Sequence, residues 1–132
     1  MSQENVDLIR QSIRRFAELD FEGLRRDYSP DAVLYAPQGW PDGAEFHGRD
    51  AIVQQFVRLQ EDWRQQDMRA ARIDGRGDWV IVELLWAASG AGSGVPTQMT
   101  VVGAYRIESR KIREAHFFWD RDQALEAAGL EE

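Results

Sequence analysis

The sequence predicts an α+β domain in which helices cover one face of a strongly curved antiparallel sheet. Three observations carry that prediction. Apolar residues in the first half recur with a helical period, those from Met68 onward mostly alternate as in strands, and Gly- or Pro-containing turns separate the alternating runs. At 132 residues the chain is sized for one domain, spanning 1–132, with room for a core or a modest ligand cavity.

Each element follows from its local pattern. Val6, Ile9, Ile13, Phe16 and Ala17 make residues 4–20 an amphipathic helix. Asp20 is placed to cap a second, short helix through Leu24 and Tyr28, which stops at Ser29-Pro30 because a residue before proline avoids helical angles. "DAVLYAP" (31–37) reads as the first strand, and "QGWPDGAEFHG" (38–48) as a long loop. In "RDAIVQQFVRLQEDWRQQ" (49–66), with Asp50 as its cap, Ile52, Phe56, Leu59 and Trp63 form the stripe of a third helix.

After it the period changes to two. "MRAARID" (68–74) is a strand ending in the turn Gly75-Arg76-Gly77. "WVIVELLWAAS" (79–89) places Val80, Val82, Leu84 and Trp86 on one face, and "TQMTVVGAYRI" (97–107) does the same for Met99, Val101, Gly103 and Tyr105. "GAGSGVP" (90–96) joins them as a hairpin loop; a phosphate-binding loop would have to open a helix, and here a strand pattern follows. "ESRK" (108–111) turns the chain into "IREAHFFWD" (112–120), and "RDQALEAAGL" (121–130) is a short C-terminal helix ending at Gly129.

Composition narrows the chemistry. The net charge is −7 and the fifteen arginines are interleaved with acids, which argues against nucleic acid as a partner. There is no cysteine, so disulfides, thiolate catalysis and thiolate zinc sites are excluded, and the single lysine, Lys111, sits in a turn, away from Schiff-base chemistry. His47 and His116 fall in no metal-binding spacing, so no metal and no cofactor are expected. No apolar run approaches a membrane span and the mixed-charge N-terminus is no signal peptide, so the expected location is cytoplasmic.

Four stretches stand out: "MSQENVDLIR" opening the first helix, "PDAVLYAP" as first strand, "FHGRDAI" entering the third helix, and the ending "FFWDRDQALEAAGL". Together they resemble the SnoaL-like polyketide cyclase branch of the superfamily that includes nuclear transport factor 2 and ketosteroid isomerase. The resemblance implies a cone-shaped fold wrapping the helices around a deep apolar pocket, and a homodimer formed through the outer sheet face. It says little about the reaction. The positions of the ketosteroid isomerase base and oxyanion-holding groups fall here on Ala36, Ser12 and Gly103, which excludes that mechanism.

SnoaL-like cyclases carry an acid/base aspartate near the last strand, and Asp120 matches it. As an enzyme the chain would then perform cofactor-free isomerisation or aldol-type cyclisation. The residues themselves also support another role for Asp120: with Gln123 three positions on, it has the form of a helix cap, which lowers a carboxylate's pKa and weakens it as a base.

Alternation along the last strand sets Ala115, Phe117 and Trp119 inward and His116 outward. A bulge would exchange the faces and make His116 and Asp120 an acid/base pair. Trp40, in the long loop, is placed to cover a cavity mouth; Phe56, Trp63, Trp86, Met99, Tyr105, Phe117 and Trp119 fall on inward faces. Together they suggest an aromatic-lined pocket for a hydrophobic, flat or polycyclic small molecule. With few polar residues facing inward, a binding module without turnover is the competing expectation. A third is a dimerisation or docking unit acting through the outer sheet face.

Overall fold

The computed structural model describes residues 2–41, 43–90 and 96–130. Its elements are α1 (Ser2–Ala17), α2 (Phe21–Asp27), β1 (Tyr28–Tyr35), β2 (Glu45–His47), α3 (Arg49–Asp62), β3 (Trp63–Arg76), β4 (Trp79–Gly90), β5 (Pro96–Glu108), β6 (Lys111–Phe118) and α4 (Arg121–Ala127). The strands form one curved six-stranded sheet, not closed into a barrel, in the order β2-β1-β6-β5-β4-β3. All neighbours are antiparallel except β1 and β6, which run parallel.

The fold class is as the periodicities predict, with local departures. Asp20 caps α2 through Gly23 N at 2.9 Å, but the helix stops at Asp27. Tyr28 already lies in β1, fully buried, so the strand begins ahead of Ser29-Pro30. The long loop contains β2, which pairs with β1 from Val33–His47 to Tyr35–Glu45. Asp50 does not cap α3: the Gly48 carbonyl accepts the first helical bond, from Ile52, and Asp50 sits one position inside the helix, paired with Arg25. Trp63 is not on the helical stripe either. The apolar stripe ends at Leu59, and Trp63 opens β3 opposite Gly90; its side chain lies outside the described residues. The predicted loop "GAGSG" also falls outside them, at 91–94 for all but its first glycine.

Alternation gives the sheet two apolar faces. On the inner face Leu34, Ala115, Tyr105 and Val80 lie side by side across β1, β6, β5 and β4, and α1, α2 and α3 pack over them through Ile9, Phe16, Leu24, Ile52 and Phe56. Burying each large side chain there contributes roughly 1.5–3 kcal/mol against the entropy of ordering it. On the outer face Ile81, Val102 and Ala104 are equally buried because α4 lies across them with Ala124 and Leu125. α4 ends as Gly129 (φ 71°) lets Leu130 N bond back to the Leu125 carbonyl at 2.8 Å, and Leu130 packs against that same cluster.

Candidate functional site

The helices do not fill the concave side of the sheet completely. Between α1, α3 and the inner sheet face lies a cavity of about 110 Å³. Phe16, Phe56 and Leu59 line it from the helices, and Leu84, Trp86, Met99, Val101, Tyr105 and Phe117 from the sheet. Trp40, from the segment after β1, also lines it, with Pro37 and Phe46. The curvature of the sheet is what leaves this space, since flat layers would close on it.

Among the described residues its polar groups are few and uncharged. Ser12, Tyr28, Gln55 and Tyr105 border the cavity, and all four are almost fully buried. The Ser12 side chain faces the Tyr28 hydroxyl and eases its ionisation slightly. Burial pushes the Tyr28 hydroxyl well above its ordinary value, and the neighbouring Tyr105 and Asp27 push it in the same direction. Burial alone pushes Tyr105 up. Both phenols are therefore neutral near pH 7, able to donate hydrogen bonds but unsuited to act as bases.

Ser12, Ala36 and Gly103, which the resemblance sets against the ketosteroid isomerase groups, lie near one another here. Ser12 and Ala36 line the cavity, and Gly103 sits on the inner face between the rings of Tyr105 and Phe117. A Cβ at Gly103 would stand 2.8 Å from Tyr105 Cε2 and 3.0 Å from Phe117 Cε1. The missing side chain lets the two rings meet edge to face, 5.6 Å apart at 88°.

Asp120 and His116 lie elsewhere and apart. Asp120 is exposed and caps α4, its Oδ1 accepting from Gln123 N at 2.9 Å. His116 is on the outer face, stacked on Tyr35 with ring centroids 4.4 Å apart and bonded to Glu114 at 2.9 Å. Arg106, 2.8 Å from Glu114, and His116 outweigh desolvation and hold the Glu114 carboxyl below its ordinary value. The irregularity in β6 falls between Ile112 and Glu114, before His116, so Ala115 and Phe117 keep the inward face.

Trp119 is not inward. β6 ends at Phe118, the alternation lapses, and Trp119 is 42% exposed with its Nε1 donating to the Gln38 carbonyl at 2.9 Å. It lines a shallow groove with Phe118, Gln123 and Glu126 that adjoins the cavity at Ala36 and Phe117.

Tyr28 and Gln55 were not legible as site residues. Gln55 lies three residues after Ile52 and four before Leu59, which is the signal that places it on the buried stripe of α3. Among the described residues no group of three or more His, Asp or Glu side chains is placed to hold a metal ion, and no helix is long and apolar enough to cross a membrane.

Solved structures share this architecture. A protein of nuclear transport factor 2-like fold from Burkholderia pseudomallei superposes with a TM-score of 0.79 at 19% identity, covering 96% of this chain and 97% of its own. An epoxide hydrolase from M. tuberculosis gives 0.75 at 18%, covering 90% and 80%. A ketosteroid isomerase-like protein from Catenulispora acidiphila, in complex with trimethylamine, gives 0.75 at 15%, covering 94% and 93%. At these identities the likeness is one of fold. No curated protein matches the sequence. The SnoaL-like domain family matches residues 9–115, from the middle of α1 to the inward Ala115 of β6, and the chain belongs to that family.

Proposed function

We propose that this chain binds a compact hydrophobic small molecule in the cavity between its helices and the inner sheet face, without turning it over. The observation that supports this reading is the lining itself: aromatic and aliphatic, with hydroxyl and amide groups but, among the described residues, no Asp, Glu, His, Lys or Arg. Such a site favours a neutral ligand, because a charged one would lose its hydration with no counter-charge to replace it. Proton-transfer catalysis needs an acid or base within hydrogen-bond reach of the ligand. The carboxylate that an isomerase or aldol-type cyclase would use, Asp120, instead holds the first turn of α4.

Volume bounds the ligand. Cavities binding drug-sized molecules run to about 300–1,000 Å³, and one of about 150 Å³ accepts benzene. At about 110 Å³ this one suits a single ring rather than a polycyclic skeleton. The test is a tryptophan-fluorescence and thermal-shift screen of single-ring and polycyclic compounds. Trp40 and Trp86 line the cavity and report directly. The reading expects single-ring compounds to quench the emission and raise Tm, and polycyclic ones to do neither. It fails if no single-ring compound does both.

A homodimer through the outer sheet face is part of the proposal. Tyr35, Trp79, His116 and Phe118 form a contiguous half-buried aromatic patch there, beside the strip that α4 covers. Aromatic patches of this kind are enriched at interfaces. Light scattering after size exclusion checks it, with twice the 15.2 kDa chain mass expected.

A further inference from the structure

A second property concerns what the cavity selects. Tyr105 is 5% exposed, lies toward the C-terminal end of β5 and lines the cavity. Among the described residues its hydroxyl has no hydrogen-bond partner, and burial is the one influence on its ionisation. The oxygen is not one of the fully enclosed polar atoms of the interior, so it keeps surface open to a partner from the cavity that its residue lines. The nearby Tyr28 hydroxyl differs in having the Ser12 side chain beside it.

The Tyr105 ring is also held in place. It packs edge to face on Phe117 and lies against the bare backbone of Gly103, where a Cβ would leave it no room. Its hydroxyl is a fixed donor bordering an apolar space.

Resting on the binding reading above, we infer that Tyr105 is the specificity-determining residue of the cavity: its hydroxyl donates to a neutral acceptor oxygen, so the ligand class is compact cyclic ketones and related carbonyl compounds. A hydrocarbon of the same shape would fill the space and leave the donor unmatched. A carboxylate would bring an acceptor but also a charge that no described lining residue balances. A carbonyl supplies the acceptor with no charge and no donor of its own to satisfy.

The test is a binding cycle with two probes of nearly equal shape, cyclohexanone and methylenecyclohexane, on the unaltered protein and on Tyr105→Phe. The variant removes one oxygen and keeps the ring against Phe117 and Gly103. Tryptophan fluorescence gives Kd for each combination, and thermal melts confirm that the variant is folded. The expected result is a roughly five- to tenfold weaker Kd for cyclohexanone in Tyr105→Phe, the size of one neutral hydrogen bond. Methylenecyclohexane should change by less than about twofold or bind slightly better.

Equal effects on the two probes, or none on the ketone, overturn the assignment of Tyr105 while leaving the binding reading in place. Failure of both probes to bind the unaltered protein removes the binding reading and this inference with it. If Tyr105→Phe does not fold, the infrared carbonyl stretch of cyclohexanone bound to the unaltered protein decides. A band shifted to lower wavenumber than in an apolar solvent is expected for a ketone accepting from the phenol, and an unshifted band overturns the inference.

Discussion

Asp120 and Asp74 show what a single carboxylate does in this chain. The Asp120 carboxylate accepts from Gln123 N, so Asp120→Ala should cost about 1 kcal/mol of stability and Asp120→Asn only a few tenths, measured by urea denaturation. Ligand affinity should be unchanged in both, because the cap is outside the cavity. Asp74 joins β3 to α4: it bonds Arg76 at 3.0 Å and Arg121 at 3.1 Å, and these two guanidinium groups hold its carboxyl below the ordinary 3.8. A depressed folded value means that the contribution is present above the ordinary value and lost as pH falls through the folded one. The protein should therefore exceed Asp74→Asn by about 1 kcal/mol or less at pH near 6, with the gap closing below pH of about 3.8. A gap that widens on acidification would reverse the sign and refute this role. Asp120 could be read as a cap from its spacing to Gln123 alone. The proximity of Ser12 and Tyr28 could not, because they sit on different elements that only the fold brings together.

Elements were legible where their period was long. α1, β4, β5, β6 and α4 follow their patterns closely, because each buries one face over several residues. The misses are short or hold more than one role: β2 is three residues inside a Gly- and Pro-rich loop, and Trp63 belongs to a strand although its spacing suits the preceding helix. The turn between β5 and β6 carries its own test. Ser109 (φ 53°) and Arg110 (φ 65°) both occupy left-handed backbone while Glu108 and Lys111 pair across them. Two-residue hairpins of this kind favour Asn-Gly. Replacing the pair by Ser109→Asn with Arg110→Gly should stabilise the protein by about 1 kcal/mol and raise Tm by a few degrees without altering binding. Unchanged or lower stability would mean that the strain is met by contacts elsewhere.

At the scale of the molecule, the two faces of one sheet differ. Its inner face and three helices enclose the cavity, and its outer face carries α4 beside the aromatic strip proposed above as a dimer contact. The inward positions Trp86, Met99, Tyr105 and Phe117 could be picked from alternation. The cavity volume could not, since it depends on how sheet curvature and helix packing combine. His116 and Asp120 are four residues apart, yet the strand turns one outward and ends before the other. The central claim, a small neutral ligand inside the apolar cavity, is tested most directly by a methyl-detected NMR titration with cyclohexanone. Saturable shifts at Leu84, Met99 and Val101, with the outer-face methyls of Ile81 and Val102 unmoved, are the predicted result. Shifts confined to Ile81 and Val102, or none at saturating ketone, would contradict it.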